Sequence, residues 1–325
     1  MRKTKRHRPS PQITSEVLGE EFNRIPSFCI SEVTNMAIGA ILIAAGCGST
    51  PATLCGGITV AQRMIASLQK SGVAMIVVVT GPEDKKLEKQ LAQFGVFFVQ
   101  NHTPEQEQLS VQLGMNFLSD KCDRYFLMHA DRPLVDPDTL LKMKTVDADL
   151  VVPVHNGKQG QLLLLKAACQ VTGNIEEISR RKAVAVDVDD PGILLGTDEA
   201  ISLENVIAQH DRKLTRPVMD FAIARGKPVL DSKLVTLLHL IRETQSVRDA
   251  CNRMQISYST AWNLLNSAED SLGYPLILRN KGGPSGSGSL LTEKGSALLA
   301  ASEGFEIAAR KNLEKLYNDY FRDII

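Results

Sequence analysis

The chain has 325 residues, of which 43% are hydrophobic and 23% are charged, as is ordinary for a soluble protein with two domains. Its 37 basic and 37 acidic residues balance, which excludes bulk coating of nucleic acid and requires any DNA contact to depend on a local patch. No run of about 18 apolar residues occurs, so no membrane span is expected. Six scattered cysteines without a C-x-x-C pair predict reduced thiols and a cytoplasmic protein.

Residues 1–35 differ in composition from the rest of the chain. Their tip is basic, and the prolines and polar residues that follow show no sustained apolar period, which predicts a disordered arm. A solvated tail is the favoured interpretation, and contact with DNA phosphates is the alternative. Met36 directly precedes the first predicted strand and is a second candidate for the translation start.

Residues 36–205 are predicted to form an α/β domain, because strands and helices alternate from Ile38 onward. The strands are apolar along their whole length, which is typical of a Rossmann-like, mostly parallel sheet with helices on both faces. Ligands of such sheets bind beyond the carboxyl ends of the strands. The predicted strands are 40–44, 75–80, 96–99 and 125–128, and the predicted helices are 60–69, 85–94 and 106–118.

Two motifs fall at these strand ends. The first strand continues into a glycine-bearing turn, residues 45–48, whose N–H groups suit a phosphate. The segment 129–135 places Asp131 after an apolar strand, where a carboxylate suits Mg²⁺ and a solvated turn aspartate is the alternative. His129 is either a base or ligand, or a histidine packed at the strand end.

Together with residues 77–81, 152–154 and 189–195, these motifs resemble the MobA and MocA family of nucleotidyltransferases over about residues 38–205. The resemblance implies a nucleotide, CTP or GTP, and a molybdopterin-like small molecule as ligands, with Mg²⁺ as cofactor. It also implies residue roles: Ala45, Gly46, Cys47 and Gly48 at the nucleotide phosphates, Ser110 near the base or substrate, Asp131 as the catalytic metal ligand and Asp198 as a second metal ligand.

The glycine turn departs from that family's pattern, G-x-G-x-R-M-G-x-x-K. Thr50 occupies the arginine position and Cys55 the lysine position, so both cations are missing. Loss of one preorganised donor costs roughly 2.7 to 4 kcal/mol of transition-state stabilisation, and the loss of two predicts very slow turnover. Arg63 and Arg132 are candidates to replace them. The cysteine also opens a covalent or redox alternative, because a thiolate at a phosphate-binding turn would have a lowered pKa.

Residues 206–230 are predicted to be a linker, because charged residues alternate with glycine and proline. The apolar residues within 218–223 predict one short helix there. This helix is a candidate relay between the ligand site and the C-terminal domain.

Residues 231–325 are predicted to form a winged-helix domain, a device that places one helix in a DNA groove. Ser246 with Asp249 forms a helix-start signature, and residues 255–257 make the turn. The second helix starts near Ser257 and has an apolar stripe of Ala261, Leu264, Leu265, Ala268 and Leu272. Its outward residues, with basic neighbours, are predicted to contact DNA: Ser257, Tyr258, Ser259, Thr260 and Asn263.

A wing and a long helix are predicted to follow. Residues 275–279 read as a strand, 281–289 as a glycine-rich tip and 290–291 as the return strand, with a flexible linker as the alternative. Arg279 and Lys281 supply positive charge for phosphate contacts. The long helix has the spacing of a coiled-coil seam, which predicts a homodimer, and a helix that caps its own domain is the alternative.

Residues 246–251, 256–262 and 291–295, with the glycine-rich wing, resemble the winged-helix domain of ModE-type molybdate-responsive regulators, which are related to the LysR type. The resemblance implies DNA as the partner and transcription regulation as the role. Gln245 and Gln255 stand where that family usually has glycine. Strain of about 1 kcal/mol is expected at either position if the turn requires positive φ.

These observations favour a DNA-binding transcriptional regulator whose nucleotidyltransferase-like domain senses a nucleotide or a molybdenum-cofactor-related ligand. The alternative is an active Mg²⁺-dependent NTP transferase, of the molybdopterin cytidylyl- or guanylyltransferase type, with an attached regulatory domain. A third hypothesis is a scaffold that contributes only dimerisation or protein contacts.

Overall fold

The structure is a computed structural model, and it describes residues 38–73, 75–119, 121–169, 171–254, 256–279, 288–321 and 324. The predicted basic arm, Met36, Gln255 and Lys281 lie outside these residues. Ala37–Ile325 form one compact unit that contains both predicted domains.

The first domain is built on an eight-stranded sheet. Its part of the chain contains β1 (Ile38–Ile43), β2 (Leu54–Cys55), β3 (Ile58–Thr59), β4 (Met75–Thr80), β5 (Phe97–Gln100), β6 (Arg124–His129), β7 (Leu150–His155), β8 (Lys158–Gln159), β9 (Leu162–Lys166) and β10 (Val184–Asp187). The order in the sheet is β10-β7-β9-β6-β1-β4-β5, with β8 beside β7, while β2 and β3 pair separately. Only β8 and β9 run antiparallel to their neighbours in this sheet, so the predicted mostly parallel sheet is confirmed.

Helices cover both faces of this sheet. They are α1 (Val60–Lys70), α2 (Lys85–Leu91), α3 (Glu107–Leu118), α4 (Pro137–Lys144), α5 (Ile175–Ser179), α6 (Thr197–Ala200) and α7 (Glu204–Lys213), with short 3-10 turns at Thr50–Ala52, Ala92–Phe94 and Pro191–Ile193. Successive side chains of a strand point to opposite faces. Accordingly, Leu42 belongs to one core, and Ile41 and Ile43 to the other. The seven strands and helices predicted from the sequence are confirmed, and no end differs from the prediction by more than three residues.

The segment after α7 differs from the prediction. The short helix predicted within residues 218–223 is wrong, because a hairpin of β11 (Ala222–Arg225) and β12 (Lys227–Asp231) occupies this part of the chain. Gly226 adopts φ +74° at the turn, a conformation that glycine reaches without the Cβ penalty. Ile223 then pairs with Leu230 across the two strands.

The C-terminal domain has the predicted helix-turn-helix with a wing. Its elements are α8 (Ser232–Thr244), α9 (Val247–Met254), α10 (Tyr258–Leu272), β13 (Ile277–Arg279), β14 (Ser289–Leu291) and α11 (Glu293–Phe321). Ala261, Leu265 and Ala268 of α10 are buried in a separate core. The strands β13 and β14 pair antiparallel, which confirms the two sides of the wing, while residues 280–287 of its tip lie outside the described part of the chain. Among the described helices, none has both the length and the apolarity to cross a membrane.

The two domains are joined by a buried cluster of charges. Arg253 of α9 donates to Glu88 of α2 at 3.1 Å and lies 3.0 Å from the carboxylate of Glu243 in α8. Arg253 and Glu88 are 8% and 3% exposed, so both charges have left water and depend on each other. Thr80 donates its hydroxyl to the same carboxylate of Glu88 at 2.6 Å, and the N–H of Gln100 donates to Glu243 at 3.3 Å.

An aromatic contact lies beside this cluster. The ring of His239 in α8 packs edge-on against Phe97 and Phe117 of the first domain, with centroid distances of 4.9 and 5.4 Å. Arg242 points a guanidinium N–H at His239 Nδ1 over 2.9 Å. Burial, and then the charge of Arg242, lower the pKa of His239 to about 3. The ring is therefore neutral at physiological pH.

The strain expected at Gln245 is testable by substitution. Gln245 ends α8 with φ 53°, a left-handed conformation that costs a non-glycine residue about 1 kcal/mol. We expect Gln245→Gly to raise the free energy of unfolding by about that amount in urea titrations. Gln112→Gly, the same change at an exposed position inside α3, is the control and should lower it by about 1 kcal/mol. A Gln245→Gly variant that is destabilised like the control would contradict the strain.

The buried His239 predicts acid sensitivity. An unfolded chain protonates histidine near pH 6.5, whereas the folded protein resists protonation of His239 until about pH 3. This contribution to stability is therefore complete above pH 6.5 and is lost as the pH falls towards 3, by at most ~1.4 kcal/mol per pH unit. We expect His239→Asn, which retains an acceptor for Arg242, to flatten the pH dependence of the free energy of unfolding between pH 6 and 4.

The control for this measurement is His102→Asn, because His102 is exposed. We expect it to keep the wild-type pH dependence. An equal slope for wild type and His239→Asn would contradict the assignment.

Candidate nucleotide site and DNA-binding surface

The glycine turn after β1 is fixed by contacts with β4 and with the loop after β5. The N–H groups of Ala44 and Ala45 both donate to the carbonyl of Val79 at 2.9 Å, which holds the start of the turn against β4. Gly46 has φ +81°, and a Cβ there would lie 2.9 Å from the carbonyl oxygen of Pro104. The position therefore requires glycine on two grounds, conformation and space.

Asp131 lies just after the end of β6, the strand that pairs with β1, as predicted. Ala130 donates its N–H to the carbonyl of Ile43, so the Asp131 turn and the glycine turn lie side by side. Thr197 donates its hydroxyl to the carbonyl of Asp131 at 3.0 Å, which brings the start of α6 to the same turn. The side chain of Asp198, the predicted second metal ligand, is solvent-exposed on that short helix.

The side chains around the glycine turn carry negative charge. Burial is the main reason that the pKa of Cys47 is raised to about 11, and the negative charges of Asp131, Asp84 and Glu107 raise it further. Burial likewise raises the pKa of Cys55. The alternative of a reactive thiolate with a lowered pKa at Cys55 is therefore wrong, because the environment stabilises the thiol form.

The two arginines that the sequence offers as replacements for the missing cations lie in different surroundings. Arg63 is fully buried, donates to the carbonyl of Cys55 at 2.7 and 3.2 Å, and forms a 2.7 Å ion pair with Asp211. It therefore supports the β2–β3 turn from inside and is wrong as a phosphate ligand. Arg132 remains at the site, since its Nε lies 3.4 Å from Asp131, and its two other guanidinium nitrogens donate to Gln161 and to the carbonyl of Leu194.

His129 and Ser110 have structural partners. Nε2 of His129 lies 3.2 Å from Glu107, and this hydrogen bond is the main cause that lowers the pKa of Glu107. Ser110 is fully buried, and its hydroxyl accepts a hydrogen bond from the side-chain amide of Asn101 at 2.9 Å. The structure thus places Ser110 beneath the loop after β5, where it offers no open surface to a ligand.

The motif at residues 189–195 has a structural role that sequence reasoning missed. Asp190 is buried and accepts hydrogen bonds from the N–H groups of Asp136 and Gly192 and from the hydroxyl of Thr139. It ties the 3-10 turn Pro191–Ile193 to the start of α4. A buried Asp followed by Pro-Gly is the signal that could have indicated this cap.

The predicted DNA-contacting residues lie together at the start of α10. Ser257 is the N-cap, and its hydroxyl accepts from the N–H of Thr260 at 3.0 Å. Tyr258 is 51% exposed, and Ser259, Thr260 and Asn263 are also exposed. The basic neighbours expected on this helix are absent, because Tyr258–Leu272 contains neither lysine nor arginine. Arg279 ends β13, and the predicted contact Lys281 lies outside the described residues.

The fold and the two sites define a class: a nucleotidyltransferase-like α/β domain joined to a winged helix-turn-helix. Two family profiles match the chain accordingly. Residues 51–186 match the MobA-like NTP transferase domain, and residues 233–296 match the bacterial regulatory helix-turn-helix protein of the lysR family. The chain therefore contains one domain of each kind. The first match begins at Pro51, so the glycine turn lies outside it.

Curated relatives match a limited part of the chain. The molybdenum transport protein ModE of Azotobacter vinelandii is 29% identical over 105 residues, which are 32% of this chain and 38% of that protein. The transcriptional regulator ModE of Haemophilus influenzae is 36% identical over 70 residues, 22% of this chain and 28% of that protein. The chain thus spans roughly a third of the length of the curated relatives it matches.

Among solved structures, a nucleotidyl transferase from Methanothermobacter thermautotroptrophicus is similar to this chain. The similarity covers 55% of this chain and 99% of that one, with 20% sequence identity and a TM-score of 0.46.

Proposed function

We propose that the protein is a DNA-binding transcriptional regulator whose nucleotidyltransferase-like domain binds a nucleotide or a molybdenum-cofactor-related ligand and has little or no transferase activity. The observation that carries this proposal is that one chain combines two features. The start of α10, Ser257–Asn263, is exposed, and the glycine turn at residues 45–48 is not followed by the arginine and lysine of the family pattern. The similarity to ModE regulators supports the DNA-binding part.

The site is suited to holding a ligand more than to turning it over. Thr50 and Cys55 stand where the family pattern has arginine and lysine, and Arg63 is buried in an ion pair with Asp211. Transferase chemistry needs donors that stabilise charge developing at the α-phosphate and pyrophosphate. Binding needs only the backbone turn and a counter-charge, for which Arg132 beside Asp131 is the candidate, once it exchanges its contact with Gln161 for a phosphate.

A divalent metal fits this site only together with a nucleotide. Asp131 Oδ1 is buried without a hydrogen-bond partner, since the Nε of Arg132 at 3.4 Å is too far for a good hydrogen bond. The described residues contain no cluster of three metal-ligating side chains. Mg²⁺ is commonly held by one or two carboxylates together with phosphate oxygens, so Asp131, with Asp198 nearby, would hold Mg²⁺ bound to CTP or GTP. When bound, the metal would neutralise phosphate charge.

The second candidate function is an active molybdopterin cytidylyl- or guanylyltransferase with an attached regulatory domain. The observation in its favour is the buried Asp131 oxygen beside the glycine turn, which has no hydrogen-bond partner. In this case Arg132 would have to stabilise the leaving pyrophosphate alone.

We further propose that α11 mediates a homodimer. Leu316 and Tyr320 of this helix are 52% and 70% exposed, which is unusual for large apolar side chains four residues apart. Packing against a symmetry-related α11 would bury them, and a two-fold pair of reading helices matches paired DNA half-sites.

Nucleotide binding and turnover separate the two functions. We expect calorimetry to detect binding of Mg·CTP or Mg·GTP, while pyrophosphate release in the presence of molybdopterin stays at background. Asp131→Asn should weaken that binding, because it removes the carboxylate that faces the metal. Asp138→Asn, an exposed position in the first turn of α4, is the matched control and should bind as wild type does.

Rapid pyrophosphate release that disappears in Asp131→Asn would establish the transferase and overturn the sensor. Failure of the wild-type protein to bind either nucleotide or molybdopterin would contradict both functions of this site.

DNA recognition is tested on α10. We expect the wild-type protein to shift promoter DNA, and Tyr258→Ala and Asn263→Ala to lose discrimination between cognate and unrelated duplexes by roughly 5- to 150-fold, the ~1 to 3 kcal/mol typical of base contacts. Asn116→Ala, the same change on the exposed face of α3, should have no effect. Absence of any shift at low salt would refute the DNA-binding role.

A further inference from the structure

The reading helix lacks the charge that a DNA complex requires. Half or more of the hydrogen bonds in protein–DNA interfaces go to phosphates and sugars, and basic side chains supply much of the affinity. Helix α10 contains no lysine or arginine but two acids, Glu269 and Asp270. Glu269 is held by the N–H of Leu276 at 2.7 Å, at the base of the wing. The positive charge must therefore come from elements beside α10.

The hairpin β11–β12 lies directly beside α10. Arg225 donates a guanidinium N–H to the carbonyl of Ser271, in the last turn of α10, at 3.2 Å. Strand β12 and α10 border a shallow groove. Apolar residues of both elements line it together with polar ones, among them Lys227 of the hairpin and Thr260, Asn263 and Ser267 of α10. Hydroxyl and amide side chains with a lysine are the groups that contact a sugar–phosphate strand.

The tip of this hairpin, Arg225-Gly226-Lys227, is exposed and positively charged. Gly226 turns with φ +74°, and a Cβ placed there would meet no atom within 4 Å, so the backbone is open to close approach. The hydrogen bond to the carbonyl of Ser271 fixes the Arg225 side chain and uses one of its five N–H donors. Asp231, the acid at the other end of β12, is committed as the N-cap of α8 through the N–H of Leu234.

We propose that the hairpin tip Arg225-Gly226-Lys227 binds the sugar–phosphate backbone of duplex DNA alongside α10, and we call this tip the phosphate clamp. This inference depends on the proposed DNA-binding function and deepens it. Duplex DNA is the occupant because the tip supplies the two cations that the reading helix lacks. The clamp grips the backbone without reading sequence, so it strengthens cognate and unrelated duplexes equally.

The test is the salt dependence of DNA binding by the full chain. Each phosphate contact contributes about 0.9 to the slope of log K against log salt concentration. We therefore expect the double variant Arg225→Ala/Lys227→Ala to lower the magnitude of the slope by about 1.8 between 50 and 200 mM KCl. Its affinity at about 0.1 M salt should fall roughly 10- to 100-fold, equally for a cognate and a scrambled duplex, as measured by fluorescence anisotropy.

A matched control exists in the same chain. Arg181 and Lys182 are also exposed neighbours, and Arg181 likewise donates to a backbone carbonyl, that of Thr172, at 2.9 Å. We expect Arg181→Ala/Lys182→Ala to leave the slope unchanged. Lys227→Glu, which leaves the Arg225 bond in place, should reduce affinity further than Lys227→Ala, and this guards against a hairpin that merely misfolds without Arg225.

An unchanged slope for Arg225→Ala/Lys227→Ala, in a protein that binds DNA, overturns the clamp and leaves the proposed function standing. A loss confined to the cognate duplex also overturns it, because the tip would then contact bases. A wild-type protein that binds no duplex at all overturns the proposed function first, and the clamp with it. Binding of an acidic peptide that DNA does not displace would assign the tip to a protein partner instead.

Discussion

The contact of Arg253 with two carboxylates, Glu88 and Glu243, fixes the relation between the two domains. All three groups are largely removed from water, and removal of one partner from such a cluster typically costs about 3 to 5 kcal/mol because a charge is left unpaired. Burial raises the pKa of Glu243, and the charge of Arg253 opposes this effect. The helix-turn-helix is therefore held by the face of the first domain, and the segment before it is a structured hairpin.

Because the domains are docked in this way, a short series of hydrogen bonds connects the C-terminal domain with the glycine turn. The carbonyl of Val79 accepts the N–H groups of Ala44 and Ala45, and the next residue, Thr80, donates to Glu88, the partner of Arg253. The glycine turn and the anchor of α9 therefore contact adjacent residues of β4. A linker helix is not needed for this connection. Direct packing of structured elements, unlike a flexible segment, gives the two sites a shared structural element whose state both could bias.

The local elements were predictable from the sequence, whereas the contacts between distant segments were not. A continuous apolar run such as 75–80 indicates a strand that is buried on both faces, whereas the stripe Ala261, Leu265 and Ala268 follows the three- to four-residue period of a helix with one buried side. Arg63 gave no such signal, because its partners Asp211 and His210 lie almost 150 residues away. The glycine turn was predicted from its pattern, but the burial of Ser110 depends on Asn101 and on the packing of α3. Residues 218–223 are almost all apolar but form too short a run to distinguish a helix from a strand, and the pairing with Leu230 decided between them.

The formal net charge of zero results from separated charges of opposite sign. Asp131, Asp84 and Glu107 act together on Cys47 at the glycine turn, so a polyphosphate would meet less repulsion there with a bound cation than without one. The basic tip Arg225-Gly226-Lys227 lies beside a reading helix that is itself acidic. The two surfaces therefore differ in sign, and both belong to the compact unit in which Arg253 pairs with Glu88. Composition alone could exclude a uniformly basic protein, but only the arrangement of these charges in space indicates which surface suits which partner.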